Sequence, residues 1–138
     1  MERILRSRHG SAIVEFTLVG ALLLLLVFAV VDLGLLLNAR LCLTQAARAG
    51  ARQAIVDGGG SDRTYDVIRE QLALCGLADG TQAAVTPRQA SYGTLIRVAL
   101  AHDYRFRTPL TRTLGGRGVR LQVTLLARSE KLAAGGPR

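Results

Sequence analysis

The chain has 138 residues, 49% of them apolar but only 4% aromatic, and it has no tryptophan. Its 18 basic residues, all arginine except Lys131, outnumber 10 acidic ones and give a formal charge of +8. The apolar content is concentrated in residues 16–39, interrupted only by Asp32 and Asn38, and the stretch after it is long enough for only a small core. A large catalytic domain is excluded, and so is an ordinary soluble basic protein, because the apolar block must be covered by something.

The opening segment MERILRSRHG carries Arg3, Arg6 and Arg8 against Glu2. A basic head before a first span reads as cytoplasmic. Residues 16–39 exceed the roughly 20 apolar residues that cross a bilayer as a helix, and the run Leu22 to Leu26 favours helix over strand. A buried core helix is the first alternative, but so small a remainder cannot wrap a helix that is apolar on all sides. A cleaved secretory signal is the second. The run is too long for that, and the nearest small-residue site, Ala47-Arg48-Ala49, lies well past its end. Beyond the span the chain is again basic, yet long domains translocate largely regardless of charge. The predicted topology is N-terminus in and C-terminal domain out.

The junction reads His9-Gly10-Ser11-Ala12-Ile13-Val14-Glu15-Phe16. Glu15 sits just inside the apolar run, where a charge is costly and usually partnered. A cut after Gly10 would give Ser11 a free ammonium group, with Glu15 one helical turn further on. Glu15 could then neutralise the ammonium of a neighbouring subunit, at a helix end where a carboxylate is favourable. The plainer alternative is a glutamate snorkelling to the interface.

Gly10 followed by the pair Glu15-Phe16 resembles the processing site of tight-adherence (Flp-type) pilus proteins. With Asp32 before Gly34 and the stretch Asn38 to Arg52, rich in alanine and arginine, the order is similar to the TadE-like family of minor pilins, or pseudopilins. The resemblance covers residues 10–56. It implies recognition and cleavage at Gly10, Ser11, Glu15 and Phe16 by a prepilin peptidase. It also implies an inner-membrane assembly platform, an assembly ATPase and other minor pilins as partners, and a role in pilus initiation, assembly or adhesion. On this reading residues 1–10 are a cytoplasmic leader.

Residues 11–56 contain no proline, so one helix is predicted there, about 69 Å long at 1.5 Å per residue. That is about twice a bilayer, so its second half must extend outside. Ala46, Gly50 and Ala54 recur at fourth positions, a spacing that lets helices approach closely. They fit a contact with partner pilins or with the chain's own C-terminal domain equally well. Asp32 is either an interfacial residue near the outer leaflet or a buried contact with a partner helix.

Residues 57–132 are expected to form an extracytoplasmic α+β domain, a helix on a small antiparallel sheet, with 133–138 disordered. Asp57-Gly58-Gly59-Gly60 is a stop and hinge. Ser61 is a good N-cap for a second helix over 62–75, ended by Gly76, with Tyr65, Ile68, Leu72 and Cys75 on its core face. Residues 94–106 and 119–127 alternate with the period of half-buried strands, and 81–85 is a shorter third. A hairpin at the glycines gives Cys42 and Cys75 nearly equal arms, which favours a disulfide in an oxidising compartment over two buried thiols.

The residues offer no catalytic or metal-binding constellation and no cofactor. His102 and Asp103 are adjacent in a strand and point to opposite faces. Gly115-Gly116-Arg117-Gly118 lacks the trailing Lys-Ser/Thr of a phosphate loop. Scattered arginines with few aromatics give little support to nucleic-acid binding. The competing function is a single-pass, membrane-anchored extracytoplasmic binding protein that is neither processed nor assembled.

Overall fold

The computed structural model describes residues 2–106 and 118–131, with side chains from Gly10 onward. The order is helix α1 (Glu2–Asp57), helix α2 (Asp62–Leu74), and strands β1 (Thr81–Thr86), β2 (Leu95–Tyr104) and β3 (Val119–Arg128). This is the expected α+β architecture, with a three-stranded antiparallel sheet in the order β1-β2-β3. The expected tail 133–138 and most of the 107–118 connection lie outside the described residues.

The chain divides into two compact units. The first contains α1 as far as Leu35. The helix starts at Glu2 and not at Ser11, since nothing in residues 2–9 interrupts it and a lone Gly10 costs only about 1 kcal/mol. Among the described residues one helix segment, Gly10–Asp57, is long and apolar enough to cross a membrane, and only 6% of its most apolar window is buried. Phe16 is 80% exposed, and every residue from Leu22 to Leu26 is exposed. That separates it from a soluble protein's core helix. Burying one such side chain is worth about 1.5–3 kcal/mol, so covering a dozen outweighs the roughly 5–15 kcal/mol that holds a whole domain folded.

The second unit holds Leu36–Arg105 and the chain from Gly118 onward. Its core combines one stripe of α1 (Ala39, Cys42, Leu43, Ala46, Ala47, Ala54), Ile68 and Leu72 of α2, and the inner face of the sheet, Val85, Ile96, Val98, Leu100 and Tyr104. β2 alternates as its sequence predicts: Ile96, Val98 and Leu100 are inside, while Leu95 and Arg97 are outside. β1 and β3 flank it through Val85↔Val98 and Val98↔Leu125. β2 ends at Tyr104, two residues before the limit read from the alternation, because its last partner in β3 is Val119.

The glycine run is a packed turn and not a loose hinge. Gly58, Gly59 and Gly60 are all buried. Ala54 O accepts from the N–H groups of Gly58 and Gly59 at 2.9 and 2.8 Å, closing the end of α1. Ala90 N–H donates to Gly58 O at 2.6 Å, and Gly60 N–H to Pro87 O at 3.2 Å. Gly59 has φ +130°, and a Cβ there would stand 2.8 Å from Pro87 O, so only glycine fits. Ser61 caps α2, its Oγ accepting from Thr64 N–H at 3.1 Å.

Candidate functional site: the N-terminal junction and the docked half of the first helix

Gly10, Ser11, Glu15 and Phe16 lie in the first turns of the membrane-competent segment, and all are exposed. Ser11 and Glu15 are one helical turn apart and share a face. Thr17 donates back to Ile13 O at 2.8 Å. A Cβ added at Gly10 would meet nothing within 4 Å. Among the described residues, packing therefore gives no reason for glycine at this position.

Asp32 is 2% exposed within the single chain. Ala46 and Ala54 are fully buried and Gly50 is buried, again without any second chain. The small-residue spacing serves close approach inside the protein: a Cβ on Gly50 would lie 2.6 Å from Ile68 Cδ1 of α2. Residues on the opposite side of this half-helix, Leu41, Gln45, Arg48, Arg52 and Val56, are exposed.

Cys42 and Cys75 form a disulfide with Cα atoms 6.4 Å apart, joining α1 to the C-cap of α2. Cys42 is buried, whereas Cys75 is exposed and not part of the core face predicted for it. Tyr65 is half-buried, and its Oη accepts from Val85 N–H at 3.2 Å, linking α2 to β1.

The turn between the helices has its own polar network, which the residues alone did not reveal. Asp57 accepts from Ser61 Oγ at 2.5 Å and from Gln53 Nε2 at 3.0 Å, with Thr64 Oγ1 at 3.5 Å. The Ser61 hydrogen bond leads in holding the Asp57 carboxyl below its ordinary value of 3.8. Partial burial opposes it, while Gln53, the Arg63 charge and Thr64 add to the lowering. Lys131 Nζ donates to Asp57 O at 2.9 Å, which ties the end of the sheet to the same turn.

His102 has a structural place. Thr81 Oγ1 donates its only hydrogen to Leu77 O at 2.5 Å, so His102 Nδ1, 2.9 Å away, is the donor to Thr81. Among the described residues, no group of three or more His, Cys, Asp or Glu is placed to hold a metal ion.

These features fit a single-pass membrane protein: one helix long and apolar enough to cross a membrane, and a small α+β domain that includes the second half of that helix. The family model described as TadE-like protein matches residues 10–52, in agreement with the resemblance seen in the sequence. The match begins at Gly10, crosses the whole apolar run and ends within the docked half of α1. No curated protein and no solved structure matches the chain. The match associates the chain with the tight-adherence pilus system.

Proposed function

We propose that the chain is a minor pilin, or pseudopilin, of a tight-adherence pilus, cut by a prepilin peptidase between Gly10 and Ser11. The observation that carries this reading is the extent of the family match, which starts at the glycine before the cut and runs through Arg52. The open space around Gly10 supports it. A glycine that packing does not require, set in a helix it weakens by about 1 kcal/mol, suits an enzyme that must unwind the backbone to cut it. The protein then has a non-enzymatic role. It enters the bacterial inner membrane with its N-terminus in, keeps its α+β domain outside, and meets an assembly platform and other minor pilins.

After cleavage the Ser11 ammonium needs a counter-charge in a low-dielectric setting, and Glu15 of an adjacent subunit supplies it. Glu15→Ala tests this. The outer domain should keep its disulfide and its resistance to proteolysis, while co-purification with the assembly platform and pilus number fall. Unchanged recruitment and piliation would favour the unprocessed membrane-anchored binding protein.

A further inference from the structure

The apolar run of α1 ends at Ala39, and Arg40 is the first cation beyond it. Ala39 is only 4% exposed and lies in the second unit, and the buried stripe continues through Cys42, Leu43 and Ala46. The buried face of the outer domain therefore begins inside the apolar run. A domain held clear of the bilayer would need a stretch of helix exposed on every side between the two, and α1 has none beyond Ala39.

The disulfide sets the height of the foot of α2. The start of α2 and the end of β1 meet at the glycine turn, where Gly60 packs on Val85 and donates to Pro87 O at 3.2 Å. At the other end the Cα of Cys75 is 6.4 Å from that of Cys42. Cys42 lies three residues past Ala39, about 4.5 Å along the helix axis. The headgroup layer on each side of a bilayer is about 5–7 Å thick. Cys75 thus stands at the height of that layer, as do residues 76–80, which join the foot of α2 to the foot of β1.

The composition changes at the same height. The charges of α2, Asp62, Arg63, Asp66, Arg69 and Glu70, are confined to its upper part. Residues 71–78 carry none. Ala73, Leu74, Cys75 and Gly76 are nevertheless all exposed, Leu74 by 78%. On α1 at this height Leu41 is 62% exposed. Water gives no reason to strip charge from an exposed helix end, whereas the boundary between headgroups and acyl chains takes up apolar side chains. The flanking charges, Arg40 and Asp79, are both exposed and stay hydrated among the headgroups.

We propose that the outer domain rests on the bilayer that α1 spans, with residues 73–80 set in the phospholipid headgroup layer and Leu74 against its apolar side. This rests on the membrane reading of α1 given above. The partner is the lipid surface and not a protein, because the disulfide holds these residues at lipid depth. The contact fixes the orientation of the domain. Asp57 is 15 residues beyond Cys42, about 22 Å along the helix. The glycine turn and the connection from Pro87 to Thr94 therefore face away from the membrane.

The chain has no tryptophan, so a single introduced one reports alone. Leu74→Trp, Leu26→Trp and Tyr92→Trp are compared in the full-length chain, reconstituted into vesicles of phosphatidylcholine and phosphatidylglycerol. The acyl chains are brominated either next to the headgroup or at mid-chain, and bromine quenches a tryptophan it touches. Leu74→Trp should lose most of its fluorescence to bromine next to the headgroup, and Leu26→Trp to bromine at mid-chain. Tyr92→Trp, in the connection that packs on the glycine turn, should lose none. Full emission from Leu74→Trp beside a quenched Leu26→Trp would overturn the proposal and leave the membrane reading standing. Full emission from Leu26→Trp would overturn the membrane reading and the proposal with it. A blue-shifted Leu74→Trp that bromine leaves unchanged would put protein against it, and a quenched Tyr92→Trp would lay the domain on its side; either overturns the proposal. Retention of the Cys42–Cys75 disulfide reports the fold of each variant. If Leu74→Trp fails that check, Asp79→Trp carries the same expectation.

Discussion

Gly50 of α1 and Ile68 of α2 meet so closely that a Cβ on the glycine would displace the isoleucine side chain. Ile68 is 1% exposed and cannot swing out to solvent. Gly50→Ala gains up to about 1 kcal/mol of helix propensity but overpacks the crossing, which ordinarily costs about 1–3 kcal/mol. The variant should be less stable by about 1–2 kcal/mol in denaturant titrations of the detergent-solubilised chain. Gly50→Ala combined with Ile68→Ala should cost less than the sum of the two single changes, because the atoms that clash are then absent. Strict additivity would show that the helices can part without penalty.

The disulfide should dominate the stability of the outer domain. It closes a separation of 33 residues between α1 and α2. The chain-entropy model assigns such a loop about 3–4 kcal/mol. Cys42→Ala with Cys75→Ala should lower the unfolding free energy by that order, and alkylation of denatured, non-reduced protein from the native envelope should label no thiol. Because Cys75 is exposed, mild reductant should open the bridge in the folded protein.

The turn network gives the outer domain a dependence on acid. The Asp57 carboxyl titrates below 3.8 in the fold, chiefly through Ser61. A depressed carboxylate pKa contributes stability that is present above the unfolded value and is lost as pH falls through the folded one. Wild-type stability should therefore drop as the pH is lowered below about 4, and Asp57→Asn should show a shallower drop. Parallel curves for the two proteins would mean that the carboxylate charge is not what the turn uses.

Patterns set by local periodicity were legible in the sequence. β2 and β3 alternate because only one sheet face is covered, and Ser61 marks the start of α2 because a hydroxyl there satisfies Thr64 N–H. Equal arms about the glycine turn brought Cys42 and Cys75 to one level. What depends on distant chain was not legible. Gly58 to Gly60 read as a stop and hinge, since the contacts that pack the turn come from Pro87, Arg88 and Ala90. Ala46, Gly50 and Ala54 suited two kinds of neighbour, and only their burial within the folded chain, with Ile68 of α2 against Gly50, shows that the chain itself covers them. The Asp57 network joins residues whose types are common in any turn.

Gly10→Val isolates the processing step from folding. Among the described residues a Cβ at Gly10 would meet nothing within 4 Å, so a valine there should leave the outer domain and its disulfide intact. It should block cleavage, because the added branched side chain occupies the space an approaching peptidase needs. Electrophoresis of membranes expressing the peptidase should show the variant only at the full-length position. Normal processing of Gly10→Val would move the cut elsewhere.

The most direct measurement is the N-terminal residue of the chain extracted from its native membrane, obtained by intact mass and terminal sequencing. The extracted chain should begin at Ser11 and lack the MERILRSRHG segment. A chain that retains Met1 to Gly10, or one that begins beyond the apolar run, would contradict it.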